Sequence, residues 1–167
     1  GHRLVIVDDG WMSAQTWDQK RDFLLQVLEQ ARSEGVAVTL TGTVPVGGAL
    51  SNINQPARDA LDRARLMKPS ALGTDRLALV ERLKAADLKD VASVIWLSDG
   101  SDAKSADAFA TALKVIAPLR VYAPSAKDLP MALGPLVFEG SDIKISALRN
   151  PSAINTATVQ AIATTGR

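Results

Sequence analysis

Two apolar runs of this chain end in carboxylates. Leu4-Val-Ile-Val7 passes into Asp8-Asp9-Gly10, and Val91-Ala-Ser-Val-Ile-Trp-Leu97 passes into Ser98-Asp99-Gly100-Ser101-Asp102. Each run has the continuously apolar, β-branched character of a strand covered on both faces. Turn residues directly after such a run place the next side chains at the strand's carboxyl end, the edge at which open α/β sheets bind ligands. Ser13 follows the first strand, and Thr74 precedes a helix that comes before the later one. The side chains expected to converge, Asp8, Asp9, Ser13, Thr74, Ser98, Asp99, Ser101 and Asp102, all offer oxygen. Carboxylate, hydroxyl and water oxygens are what a hard cation such as Mg²⁺ selects, and such a site needs neither His nor Cys. The plainer roles for the same residues are turn formation by Asp8 and Asp9, helix capping by Ser13, Thr16 or Thr74, and turn chemistry in Ser-Asp-Gly.

The elements that must position these groups alternate strand and helix. After the first strand, Thr16-Trp-Asp-Gln19 has the spacing of a capping box, and Trp17, Leu24, Val27, Leu28 and Ala31 recur at helical intervals until Gly35. Val36-Ala-Val-Thr-Leu-Thr41 reads as the second strand, so a right-handed crossover and a parallel pair are expected. Residues 42–54 are rich in Gly, Pro, Ser and Asn and read as a long loop. Pro56 opens a helix carrying Ala57, Ala60, Leu61 and Ala64; Thr74 caps another with Leu77, Val80 and Leu83 on one face. The strand ending at Asp99 follows, then a helix over roughly 105–116 with Phe109, Ala112, Leu113 and Ile116 together, then the strand Leu119-Arg-Val-Tyr-Ala123. The predicted fold class is α/β: a doubly wound, mostly parallel, Rossmann-type sheet over 3–124 with helices on both faces. Residues 125–140 are expected to connect, and 141–167 to supply strands that open a further β module.

Composition narrows the function. The chain has 167 residues, enough for one domain with a sizeable core, and 19 basic against 18 acidic residues spread without long runs. That is not the footprint of a nucleic-acid binder. Cysteine is absent, which excludes thiolate sites, disulfides and a Cys nucleophile but leaves the redox compartment open. No stretch is long enough to span a bilayer, so this segment is expected to be soluble. A strand beginning almost at residue 1 and an end at Thr165-Gly166-Arg167 are expected of a piece of a longer protein, with His2 a terminal remnant. A Ser-His-Asp triad has no internal His to use and no Gly-x-Ser-x-Gly elbow, and Gly47-Gly48 lacks the Lys and helix start of a phosphate loop. Of the three tryptophans, Trp17 and Trp96 are expected in the core and Trp11 at the surface.

The order of an Asp- and Ser-bearing loop after a strand, Gly73-Thr74 before a helix, and Leu97-Ser-Asp-Gly100 after a central strand resembles a von Willebrand factor type A domain over residues 3 to 123. The resemblance implies a metal-ion-dependent adhesion site holding Mg²⁺ through Asp9, Ser13, Thr74 and Asp99, with Asp8 the alternative to Asp9. The first loop departs from the family's Asp-x-Ser-x-Ser. Aligned from Asp9, it has Trp11 at the first Ser position; aligned from Asp8, it has Gly10 and Met12 at both. A ligand is missing either way, so the site is expected to be degraded. Asp8-Asp-Gly-Trp11 and Trp96-Leu-Ser-Asp-Gly100 are similar to the degenerate domains of bacterial inner-membrane proteins of the aerotolerance type, which carry two transmembrane helices ahead of the domain. That likeness implies a non-enzymatic interaction domain of a membrane-anchored envelope protein, facing the periplasm. Trp11, Asp99 and Ser101 would meet a protein partner. The alternative is a Mg²⁺-dependent phosphoacceptor of the receiver kind, suggested by Val5-Ile-Val-Asp-Asp9. A receiver's Lys is lacking after Leu119-Arg-Val-Tyr-Ala123, where Pro124-Ser125 stands instead.

Overall fold

A computed structural model describes residues 1–101, 103–124, 134–139 and 142–145. Four parallel strands form the body of the sheet: β1 (His2–Val7), β2 (Val38–Gly42), β3 (Val91–Leu97) and β4 (Leu119–Ala123), in the order β2-β1-β3-β4. The arrangement is the Rossmann-like α/β fold expected from the alternation of periods. β1 lies between β2 and β3, with Val7 paired to Gly42 on one side and to Leu97 on the other, so three strand ends arrive side by side. The carboxyl ends of β1 and β3 are therefore neighbours, and this register brings Asp8 beside Asp99.

Side-chain alternation along the strands divides the core. Val5, Val7, Ile95 and Leu97 face α1 (Trp17–Ser33) and α2 (Ala57–Leu66), while Leu4, Ile6, Val94 and Trp96 face α3 (Arg76–Ala86) and α4 (Ala103–Ile116). Helices thus cover both faces. The expected apolar stripe of α1 is buried as read, and so are Ala57, Ala60, Leu61 and Ala64 of α2. Among the described residues no helix is long and apolar enough to cross a membrane.

Several local expectations are corrected. A 3-10 turn over Trp11–Thr16 precedes α1, and Thr16 makes no capping hydrogen bond, so the capping-box spacing is not used. Asp75 rather than Thr74 caps α3, its carboxylate accepting the Ala78 N–H at 3.0 Å. The buried stripe of α3 is Arg76, Leu79, Val80 and Leu83, leaving Leu77 61% exposed. His2 opens β1, is buried and donates its backbone N–H to Asp90 O. After β4 the chain adds β5 (Gly134–Glu139) and β6 (Asp142–Ile145), each antiparallel to its predecessor, to the same sheet. Part of the stretch read as a connection is therefore a strand. The strands expected between Thr156 and Thr164, and the side chain of Asp102, lie outside the described residues.

The loop after β2 turns back along that strand. Gln55 forms an antiparallel bridge with Val38, and the Asn54 N–H reaches Thr39 Oγ1 at 2.8 Å. Asn52 and Asn54 adopt the left-handed conformation that short polar side chains tolerate, which is how the chain reverses there.

Candidate functional site

Asp8 is fully buried at the end of β1 and spends its carboxylate on three neighbours. Oδ1 accepts from Thr43 Oγ1 at 2.8 Å; Oδ2 accepts from the Asp99 backbone N–H at 2.9 Å and from Arg76 Nη2 at 2.8 Å. The same Arg76 nitrogen donates to Asp99 Oδ1 at 3.0 Å. Arg76 therefore stands between the two strand-end carboxylates, and all three side chains are at most 1% exposed. Its Nη1 donates to Ser101 O at 2.9 Å, and its guanidinium carbon sits 5.0 Å from the centre of the Trp96 ring. Asp99 Oδ1 also accepts from the Ser101 N–H and Oγ–H at 2.8 and 2.5 Å, while Asp99 Oδ2 is buried without a hydrogen-bond partner among the described residues.

A second cation enters from α1. Lys20 is 1% exposed; its Nζ donates to Ser13 Oγ at 2.7 Å and to Asp8 O at 3.0 Å, and Ser13 Oγ–H donates to the same carbonyl at 2.6 Å. Burial pushes the Lys20 ammonium down to about 8, although Asp8, Asp99 and Asp9 favour its charged form. Ser13 and Lys20 are within the distance of a nucleophile and its base, but both are enclosed and the Ser13 proton is committed to Asp8 O, so no substrate atom reaches them in this arrangement. Because the folded pKa lies below the ordinary 10.5, the unfolded chain holds the proton that the folded chain has released between about pH 8 and pH 10.5. Stability is thus expected to rise across that window, by on the order of 3 kcal/mol. Urea titrations from pH 7 to 10.5 check the slope, which Lys20→Met should abolish.

The other residues singled out in the sequence fall in different places. Asp9 turns away towards the loop after β2, where Oδ1 accepts the Thr43 and Val44 N–H groups, both at 3.0 Å. Burial raises its pKa, against the lowering effect of those hydrogen bonds and alongside repulsion from Asp8. Gly42 makes this seat available, since a Cβ there would lie 2.1 Å from Asp9 Oδ2. Thr74 packs on the first loop, where a Cβ on Gly10 would come within 3.0 Å of its nitrogen. Trp11, 58% exposed, is held against the same segment by its N–H to Leu72 O at 3.0 Å. Met12 and Leu72 beside it are 46% and 62% exposed. Asp8, Asp99, Ser13 and Ser101 are brought together; Asp9, Thr74 and Trp11 form the surrounding rim.

Sequence reading missed both cations. Lys20 is three residues after Trp17 and four before Leu24, on the apolar stripe itself, and Arg76 begins the stripe completed by Leu79, Val80 and Leu83. A charge in phase with a buried stripe was the available signal.

A divalent cation does not fit this arrangement. Mg²⁺ needs near-octahedral oxygens at about 2.0–2.1 Å, whereas the facing carboxylate oxygens here are engaged by a guanidinium and the Ser13 hydroxyl by an ammonium. Among the described residues no group of three or more His, Cys, Asp or Glu side chains is disposed to hold a metal. No family model matches the chain, and no curated protein matches it.

Proposed function

We propose that the chain is a von Willebrand factor type A-like interaction domain, non-enzymatic, belonging to a membrane-anchored bacterial envelope protein and facing the periplasm. It engages a protein partner through the rim of its strand-tip face. The observation that carries this reading is the group Trp11, Met12 and Leu72, three large apolar side chains exposed together on the loops after β1 and before α3. Exposed apolar groups of this size ringed by polar loops mark protein interaction surfaces, and Trp is the residue most enriched among binding hot spots. The Asp8 and Asp99 carboxylates beneath are held by Arg76, so recognition falls to the rim and to the Asp99–Ser101 loop that adjoins it. The phosphoacceptor reading gains no support, because the Asp8 and Asp99 carboxylates are enclosed by Arg76.

A photo-crosslinking residue in place of Met12, in the full protein in its native envelope, is expected to give a discrete adduct. The double substitution Trp11→Ala, Leu72→Ala should reduce that adduct about tenfold or more while leaving the unfolding midpoint unchanged. Equal adduct formation from Glu29, far along α1, or none from Met12, would reject the rim as the docking surface.

A further inference from the structure

We infer that Arg76 is the resident cation of the strand-tip site, doing for Asp8 and Asp99 what a divalent ion would otherwise have to do. Two buried carboxylates from adjacent strand ends repel each other and cannot both stay ionised without a positive charge between them. The guanidinium supplies it at 2.8 and 3.0 Å from one nitrogen. Its anchorage is built on three sides: the Ser101 carbonyl on Nη1, the face of Trp96 at 5.0 Å, and the start of α3, fixed by the Asp75 cap. Lys20 extends the same principle by occupying the Ser13 hydroxyl.

The orientation of Asp99 points to a cation as well. Oδ1 takes three donors while Oδ2, buried beside it, takes none among the described residues. A guanidinium nitrogen satisfies one carboxylate oxygen along a fixed direction, and a spherical ion in the same place could draw on both. The second oxygen is therefore an acceptor left over when a planar cation serves the site. The consequence is that the strand-tip loops keep their arrangement without divalent metal, so partner engagement is indifferent to chelators. That consequence rests on the docking reading given above; the role of Arg76 does not, and it is tested without a partner.

Thermal unfolding of the chain and of Arg76→Ala would be followed in EDTA and in millimolar Mg²⁺, Mn²⁺ or Ca²⁺. The unsubstituted chain is expected to show the same midpoint in all four. Arg76→Ala should melt lower in EDTA and recover by about 5 °C or more with at least one ion, because an ion that binds only the folded form stabilises it by mass action. Arg76→Lys, which keeps a cation, should not respond. A midpoint of the unsubstituted chain that climbs with Mg²⁺ would overturn the inference whether or not the variants fold. So would a folded Arg76→Ala that is insensitive to every ion, or one that no ion allows to fold.

Discussion

Asp8→Ala is expected to destabilise the domain by about 3–5 kcal/mol, the cost typical of leaving one partner of a buried ion pair uncompensated. The carboxylate is fully buried and takes the Arg76 guanidinium, the Thr43 hydroxyl and the Asp99 N–H. Alanine leaves each of these donors facing a void that is too enclosed for bulk solvent to repair. Asp8→Asn keeps the shape and an acceptor oxygen but removes the charge, so it should lose less than alanine while still weakening the Arg76 contact. Urea unfolding with the slope held common to the three proteins separates them, and a loss below about 1 kcal/mol for Asp8→Ala would show that water enters the cluster.

Trp96→Ala should cost a similar amount, about 3–5 kcal/mol, for a different reason. Trp96 is 2% exposed on the α3–α4 side of the sheet, edge-on to Phe109 with ring centres 4.9 Å apart, and it carries the Arg76 guanidinium on its face. Truncation loses core area and the floor beneath the cation together. Trp96→Phe is the informative companion. The indole Nε1 is buried with no hydrogen-bond partner among the described residues, so removing it relieves an unsatisfied donor and offsets part of the lost volume. A cost of about 1–2 kcal/mol is expected for phenylalanine. If phenylalanine proved as damaging as alanine, the indole nitrogen would have to be making a bond not found among the described residues.

The fold was legible because its determinants are periodic. Alternation of short β-branched runs with helical stripes yields a parallel α/β sheet almost irrespective of detail; the stripe of α2 was read residue for residue, and that of α1 except for Lys20. Boundaries set by competition between neighbouring caps were not. Thr74 and Asp75 both suit a helix start, and the Asp, the stronger N-cap, is the one that takes the Ala78 N–H. The meeting of Asp8 with Asp99 was also legible, since it follows from two strand ends lying side by side. The choice between Asp8 and Asp9 was not. It depends on Gly42 leaving room for the second carboxylate against β2, which is a fact about packing across strands. Arg76 and Lys20 were not legible as site residues, because a set of carboxylate and hydroxyl oxygens implies a bound ion and both cations lie within helix stripes. A side chain from a helix start and another from a helix interior serve that need here, and neither belongs to a contiguous motif.

The backward turn of the loop after β2 bears on how the molecule behaves in a crowded solution. An outer strand presents a row of open amides and carbonyls to which a second chain can add, and this is a common route to aggregation. β2 is an outer strand of this sheet. Its Val38 is already bridged to Gln55 within the same chain, and the Asn54 amide is tied to the Thr39 side chain rather than offered outward. The pair of left-handed asparagines that makes this reversal possible therefore occupies edge groups that a second chain would need, at the point of β2 where the bridge lies.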